Sequence, residues 1–292
     1  MTTHPGVWLM RALAPLPLPW LRALGDVLGR LLFALARRRR HIALVNLRLA
    51  FPAWSEAERM DVARRSFIAF AQSFIDRAWV WHAPDAVVRQ RIRLTGAVDE
   101  LRRPEAAVLF APHFYGMDAG GAAIMQQAVA KGGSIYSPQS GAATDAWVRA
   151  GRERFGDVVL INRRDGVKPV VKSLREGRYL YLLPDMDLGP EESVFVPFFG
   201  VPAATVPSLP RLARLGRARV VPTVTRMTPG GYEVQVHPAW SGYPGDDPVA
   251  DTALMNRRLE DWIRTMPEQY YWVHKRFKTR PAGEPSVYGR TP

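Results

Sequence analysis

The sequence has no cysteine among its 292 residues. This absence excludes disulfides, thiolate metal sites and any cysteine acyl-enzyme intermediate. The composition is also not that of a disordered chain, because 47% of the residues are hydrophobic and only 23% are charged. At about 100–200 residues per domain, the length allows one large α/β domain or two small ones, with a sizeable core.

The N-terminal region lacks the uninterrupted apolar run that a membrane-spanning helix requires, which is about 20 residues. Between positions 7 and 36 it is interrupted by charged residues and prolines, namely Arg11, Pro15, Pro17, Pro19, Arg22, Asp26 and Arg30. The prolines predict a short first helix and a second helix over Trp20–Ala36. A signal peptide is excluded because charges break the apolar core and the arginines follow it.

The second predicted helix is amphipathic. Leucines recur on one face at helical spacing, and the cationic block Arg37–Arg40 follows directly. This pattern is typical of a protein that lies on an anionic membrane, and the alternative is a surface helix packed on its own domain. We therefore predict a membrane anchor over residues 1–40 and the main domain over residues 41–292.

Acidic residues are scarce at both ends of the chain. The 40 Lys and Arg against 27 Asp and Glu give a net charge of +13. Residues 1–50 carry +7 and residues 275–290 carry +4, which leaves +2 for the body between them. Basic ends indicate anionic partners. A nucleic acid is not expected, because the body is nearly neutral and contains no recognised nucleic-acid-binding motif.

The rest of the chain alternates short β-rich runs with helical segments of about 10–15 residues. This alternation predicts an α/β fold with a mostly parallel central sheet flanked by helices, in which ligands bind beyond the carboxyl ends of the strands. Ser55 and Glu58 form a capping-box pattern that predicts a helix over residues 55–81. Ala106–Ala111 is predicted to be a buried strand, followed by a turn and a helix over Met117–Ala130.

His113 lies just past that buried strand, and Asp118 follows five positions later. In one continuous helix the two would be about 140° apart, so they meet only if His113 is in the turn and Asp118 in the first helical turn. Pro112 and Gly116 favour that geometry. Asp118 could then accept from one imidazole nitrogen and free the other as a general base. The alternative is a structural histidine.

Two further predicted strands also end in polar residues. Arg163 and Arg164 follow the strand Val158–Ile161 and could bind a phosphate, or they could belong to a solvated face. Asp185 and Asp187 follow the next strand. Paired carboxylates suggest Mg²⁺, but without a third ligand in view an orienting or ion-pairing role is favoured, and no metal or cofactor is predicted.

An apolar run at residues 194–201 suits an acyl chain or, alternatively, a core strand. No GxSxG elbow, HExxH motif or P-loop occurs in the sequence. Together with the missing cysteine, these absences favour direct group transfer by a single general base.

Four blocks in order carry a resemblance to a known family. His113-x4-Asp118 resembles the HX4D motif of the glycerolipid acyltransferase superfamily. The other three are Arg40-x5-Asn46-Leu47-x3-Phe51-Pro52, Asn162-Arg163-Arg164-Asp165, and Pro184-Asp185-Met186-Asp187-x-Gly189 leading into Ser193–Gly200. Over about residues 38–280 the chain resembles the bacterial lipid A biosynthesis acyltransferases, the late lauroyl and myristoyl transferases.

The resemblance implies His113 as the base and Asp118 as its partner, although the family often has Glu at that position. It implies Arg163 or Arg164 and Asp185 as further site residues, and we also expect Arg164 and Asp187 to contact substrate. It implies an acyl thioester donor, usually acyl carrier protein, and a phosphorylated membrane glycolipid acceptor at the cytoplasmic face of the inner membrane.

Two other functions stay open on the sequence. One is acyl transfer from acyl-CoA or acyl carrier protein to another envelope lipid, such as an ornithine lipid or a lysophospholipid. The other is a non-catalytic lipid-binding protein, which the intact His113 and Asp118 disfavour.

Overall fold

The computed structural model describes residues 4–289. The helices are α1 Pro5–Leu13, α2 Leu18–Leu35, α3 Arg37–Ala50, α4 Glu56–His82, α5 Asp85–Arg91, α6 Met117–Gln127, α7 Ala142–Arg152, α8 Val167–Arg175, α9 Ser208–Gly216 and α10 Pro248–Thr265. The strands are β1 Ile92–Gly96, β2 Ala107–Phe110, β3 Lys131–Tyr136, β4 Asp157–Asn162, β5 Tyr179–Leu182, β6 Val194–Phe198, β7 Val201–Thr205, β8 Arg219–Thr228 and β9 Gly231–Val236.

A seven-stranded sheet in the order β1-β9-β8-β2-β5-β3-β4 forms the centre of the fold. Its neighbouring strands are parallel, except for the antiparallel pair β8–β9, which a tight turn joins. The predicted mostly parallel α/β sheet with flanking helices is therefore confirmed. Because β2 and β5 are neighbours, the segments that follow them meet at the same edge of the sheet.

Strand β2 shows why the sheet needs helices on both faces. All four of its residues are buried, as expected of a central parallel strand. Val108 and Phe110 belong to a core shared with α3, α8, α9 and α10. Ala107 and Leu109, which point the other way, belong to a second core shared with α2, α4 and α6.

Helix α4 is the longest helix among the described residues, and the predicted capping box begins it. The backbone N–H of Glu58 donates to Ser55 Oγ at 3.2 Å, and that of Ser55 donates to the Glu58 carboxylate at 2.6 Å. Since both orphan donors are satisfied, the helix starts where the sequence indicates. It then runs 27 residues between the N-terminal helices and the sheet.

The N-terminal helices pack on α4. Gly25 and Gly29 of α2 face it so closely that a Cβ on Gly29 would lie 2.4 Å from the Cα of Ile68. Leu21 is fully buried in the second core, and Val7 of α1 lies in the same core. Helices α1 and α2 thus belong to the packed body. Residues 4–289 contain no helix both long and apolar enough to cross a bilayer.

Two details differ from the sequence-based expectations. The apolar run at residues 194–201 forms most of the hairpin β6–β7, with Phe198 fully buried, so the core-strand alternative is the one found. The cationic block Arg37–Arg40 is the first turn of α3 rather than a tail after α2. The division into residues 1–40 and 41–292 stays a prediction.

Substituting Gly29 tests the close contact between α2 and α4. We expect Gly29→Ala to lower the free energy of unfolding by about 1–3 kcal/mol, because the added methyl group overlaps the α4 backbone. Gly230→Ala is the control, since nothing lies within 4 Å of a Cβ there. Equal thermal stability of the two variants would contradict the packing described.

Candidate active site

A cavity of about 860 Å³ opens at the carboxyl edge of the sheet and contains His113, Asp118 and Arg163 in its wall. Along β3 its wall runs from Gly132 to Ser137, about 16 Å at 3.3 Å per residue. Apolar side chains from five elements line it: Leu109, Ile124, Met125, Ile135, Leu160 and Leu182. The cavity is therefore long and largely apolar, with charged groups in its wall.

His113 occupies the turn after β2, as predicted, and its hydrogen-bond partner is Asp185. The imidazole Nδ1 lies 2.8 Å from Asp185 Oδ1, and the backbone N–H of His113 donates to the same carboxylate at 3.1 Å. The ring of Tyr271 stacks near the imidazole, and its backbone N–H donates to the carbonyl oxygen of His113 at 3.1 Å. These contacts hold the imidazole ring by its Nδ1 edge. Within residues 4–289, Nε2 has no protein partner.

The side chain of Asp185 is fully buried, and its charge is offset by the groups around it. Burial raises the pKa of Asp185, but His113 lowers it below the ordinary value, through its charge when the ring is protonated and through its ring and backbone N–H groups, and the buried Arg276 adds to the effect. An ionised carboxylate only accepts hydrogen bonds, so Nδ1 must carry the proton. The lone pair of Nε2 is then available as a base.

Asp118 begins α6 at the cavity wall, between two arginines. Its Oδ2 accepts from Arg77 Nε at 2.8 Å, and its Oδ1 accepts from Arg152 Nε at 3.0 Å. Burial raises the pKa of Asp118, but Arg152 and Arg77 outweigh it and lower this pKa to about 2. The group is a permanently ionised carboxylate that holds two guanidinium groups at the site.

The predicted pairing of Asp118 with His113 is corrected by this geometry. The two residues lie in the same cavity wall, one in the turn and one in the first helical turn, as expected. They form no hydrogen bond or ion pair with each other, because the carboxylate of Asp118 is engaged by Arg77 and Arg152. The orienting contact comes instead from Asp185, the carboxylate at the end of β5.

Of the other predicted site residues, the two arginines are on the surface and Asp187 is buried. Arg163 and Arg164 form a short 3₁₀ turn after β4, both are exposed, and within the described chain neither forms an ion pair. Asp187 is buried, and its carboxylate accepts from the backbone N–H and hydroxyl of Thr279 at 2.7 and 2.8 Å. Substrate contact by these residues stays a prediction, and the contacts of Asp187 are those of a structural link.

Sequence reasoning missed the residues that reach the site from distant parts of the chain. Arg77 and Arg152 come from α4 and α7, and the segment after α10 brings His274 and Arg276 beneath the loop that follows β5. No local motif marks them. The aromatic run before His274 was the one available signal, since its residues pack against the turn that carries His113.

The fold is a mostly parallel α/β sheet, and the candidate site at its carboxyl edge pairs a histidine with a buried carboxylate. The family model for the bacterial lipid A biosynthesis acyltransferase matches residues 1–279. The chain is 33% identical to the lipid A biosynthesis lauroyltransferase of Escherichia coli strain K12, over 98% of this chain and 96% of that protein.

Two further relatives carry names of the same family. Identity is 34% to the lipid A biosynthesis myristoyltransferase of the same organism, covering 98% and 92% of the two chains. It is 32% to a lipid A biosynthesis acyltransferase of Haemophilus influenzae, covering 96% and 88%. The chain therefore belongs to the bacterial lipid A biosynthesis acyltransferase family and is an acyltransferase.

His274 gives the fold a pH dependence that can be measured. Its Nε2 accepts from the backbone N–H of Asp187 at 3.2 Å, and burial, followed by the charge of Arg276, lowers its pKa to about 4. An unfolded histidine has a pKa near 6.5, so between these values only the unfolded chain takes up the proton. Stability should fall by at most about 3 kcal/mol as the pH drops from about 6.5 to about 4.

Chemical denaturation of wild type and His274→Gln at a series of pH values measures this contribution. The glutamine can still accept the Asp187 bond but does not titrate, so we expect a shallower loss of stability with acid. An unchanged slope in His274→Gln would show that another group is responsible.

Proposed function

We propose that this protein transfers a fatty acyl chain from an acyl thioester, borne by acyl carrier protein, to a hydroxyl group of a phosphorylated lipid A precursor. The observation that carries this proposal is the His113–Asp185 hydrogen bond at the wall of a long apolar cavity, in a chain of this family. Acyl transfer to a hydroxyl group needs a base to remove the proton and an apolar cavity to bind the acyl chain.

The proposed reaction needs one base and no covalent intermediate on the protein. Nε2 of His113 removes the proton of the acceptor hydroxyl as that oxygen attacks the thioester carbonyl. The tetrahedral intermediate collapses by breaking the carbon–sulfur bond, and the imidazolium returns the proton to the departing thiolate. Asp185 stabilises the imidazolium between these steps; general base catalysis of this kind contributes about 10²–10⁴-fold.

The arginines of the site can interact with the negative charge that develops on the thioester oxygen and with the anionic groups of the substrates. Arg152 lies in the cavity wall and is held there by Asp118, so a fixed positive group faces the place where the thioester oxygen gains charge. Arg163 and Arg164 are exposed at the next strand end and are free to bind a phosphate of the acceptor or acidic groups of the carrier protein.

The cavity is the proposed binding site of the acyl chain. The cavity wall follows β3 for about 16 Å away from the carboxyl edge, and apolar side chains of the neighbouring elements line it, so a thioester held at His113 can place its hydrocarbon tail along the sheet. Removing that tail from water stabilises the bound donor by about 0.8 kcal/mol per CH₂ group.

The exposed face of the N-terminal helices supports a position on the membrane. Large apolar side chains on this face remain exposed: Trp8, Leu9, Trp20, Val27, Leu31 and Leu35. The exposed Arg37 and Arg38 follow. An apolar helix face next to cationic residues fits an anionic bilayer, and a lipid acceptor with a cytoplasmic acyl donor places this surface on the cytoplasmic face of the inner membrane.

A reconstituted reaction tests the function. Purified protein is incubated with acyl carrier protein charged with fatty acids of several lengths and with a lipid A precursor, and the lipid product is measured by mass spectrometry. We expect one added acyl mass with wild type and a loss of at least about 100-fold with His113→Ala and with Asp185→Asn.

Glu153→Gln, which removes an exposed carboxylate just after α7, is the control and should keep wild-type activity. Transfer only from acyl-CoA, or only to an ornithine lipid or lysophospholipid, would replace the donor or acceptor proposed here. Undiminished transfer by His113→Ala would refute the base.

Vesicle binding tests the membrane surface separately. Val27→Glu combined with Leu31→Glu places charge in the exposed face of α2, and we expect it to abolish co-sedimentation with vesicles that contain anionic lipid. Val249→Glu changes another exposed aliphatic residue, on α10, and should bind as wild type does. If both variants still bind, the membrane surface lies elsewhere.

A further inference from the structure

Helix α4 lies between α2 and the active site and presents charges to both. Asp76 is buried, with 1% of its side chain exposed, and it is directed toward α2. Arg77, the next residue, holds Asp118 through Nη2 at 2.7 Å. Two adjacent positions of one helix therefore connect the N-terminal region to the cavity wall.

Arg22 is the charged residue of α2 that is turned into the protein. Its Nη2 lies 3.0 Å from Asp76 Oδ2 and donates to the carbonyl oxygen of Gly231 at 3.1 Å, and its side chain is only 15% exposed. The other charged residues of the helix, Asp26 and Arg30, pair with each other on the surface at 2.6 Å. A charge buried this far from water needs a structural or functional reason.

A second connection runs through Tyr232. Its hydroxyl donates to Asp76 Oδ2 at 2.6 Å, and its ring lies beneath the Arg22 guanidinium. The same ring packs against Gly116, where a Cβ would lie 2.8 Å from the ring. Gly116 stands between His113 and Asp118 in the turn of the site. One connection from Asp76 thus leads through Arg77 to Asp118 at the start of α6, and the other leads through Tyr232 to Gly116 in the turn before it.

We propose that Arg22 is a positioning residue for acyl transfer: through Asp76 it fixes Arg77 and Tyr232, and these hold Asp118 and the turn that carries His113. Helix α2 then contributes to turnover itself, in addition to any membrane contact. The proposal rests on the proposed function for its activity assay.

The physical reason is the cost of the buried carboxylate. Burial raises the pKa of Asp76, and the charge of Arg22 and the hydroxyl of Tyr232 act in the opposite direction. Without Arg22 the carboxylate loses its nearest counter-charge or takes up a proton, and its contacts with Tyr232 and Trp79 weaken. We then expect Arg77, the next residue of α4, to hold Asp118 less firmly.

Arg22→Gln is the test, because glutamine keeps a donor for Gly231 but carries no charge. In detergent, so that membrane binding plays no part, we expect kcat to fall about tenfold with KM for both substrates changed less than about twofold. Arg22→Lys keeps the charge and should restore part of kcat. A substrate-independent readout is the solvent exchange of the Arg77 Nε–H, followed by NMR, which should become faster in Arg22→Gln.

Arg30→Ala is the control: it removes a surface arginine of the same helix and should keep wild-type kcat and exchange. All variants are assayed well below their melting temperatures, which separates positioning from stability. If Arg22→Gln turns over as Arg30→Ala does, the proposal is wrong. If wild type shows no transfer, the proposed function fails, and the exchange of Arg77 decides the positioning alone: faster exchange supports it and unchanged exchange overturns it.

Discussion

The hydrogen bond between His113 and the buried carboxylate of Asp185 is the interaction on which the site depends. A carboxylate without solvent is costly unless its charge and lone pairs are satisfied. Here the ring and backbone of His113 supply the donors, and Arg276 supplies a positive charge. The histidine is thus oriented by the same contacts that make the burial of Asp185 tolerable, so tautomer, ring position and fold are set together.

The two carboxylates near the base have separate tasks. Asp185 orients the imidazole from beneath, at the end of β5. Asp118 lies in the cavity wall and holds Arg77 and Arg152, so two guanidinium groups are fixed near the imidazole of His113.

The sequence predicted the central strands that lead to the site, the helix start at Ser55 and the strand ends that carry polar groups, because these follow from local patterns. It did not predict β1. It also did not predict which carboxylate meets His113. Spacing along the chain favoured Asp118, five residues away, whereas the choice depends on β2 and β5 being neighbours, and sheet order is set by the whole fold.

Arg77 and Arg152 were missed for a related reason. They reach Asp118 from 41 and 34 residues away along the chain, on α4 and α7, and nothing local in either segment marks them as site residues. For the N-terminal helices, the sequence could not show which face is buried. Their apolar pattern was visible, but the buried face at Leu21 and Gly29 could not be told from the exposed face without α4.

Whether Asp185 fixes the proton of His113 on Nδ1 and leaves Nε2 as the base can be measured by ¹⁵N NMR of the histidine side chains. We expect the neutral ring of His113 to be protonated at Nδ1, with a hydrogen-bonded proton signal that is lost in Asp185→Asn. A neutral ring protonated at Nε2, or an Nδ1 proton signal that persists unchanged in Asp185→Asn, would contradict this expectation.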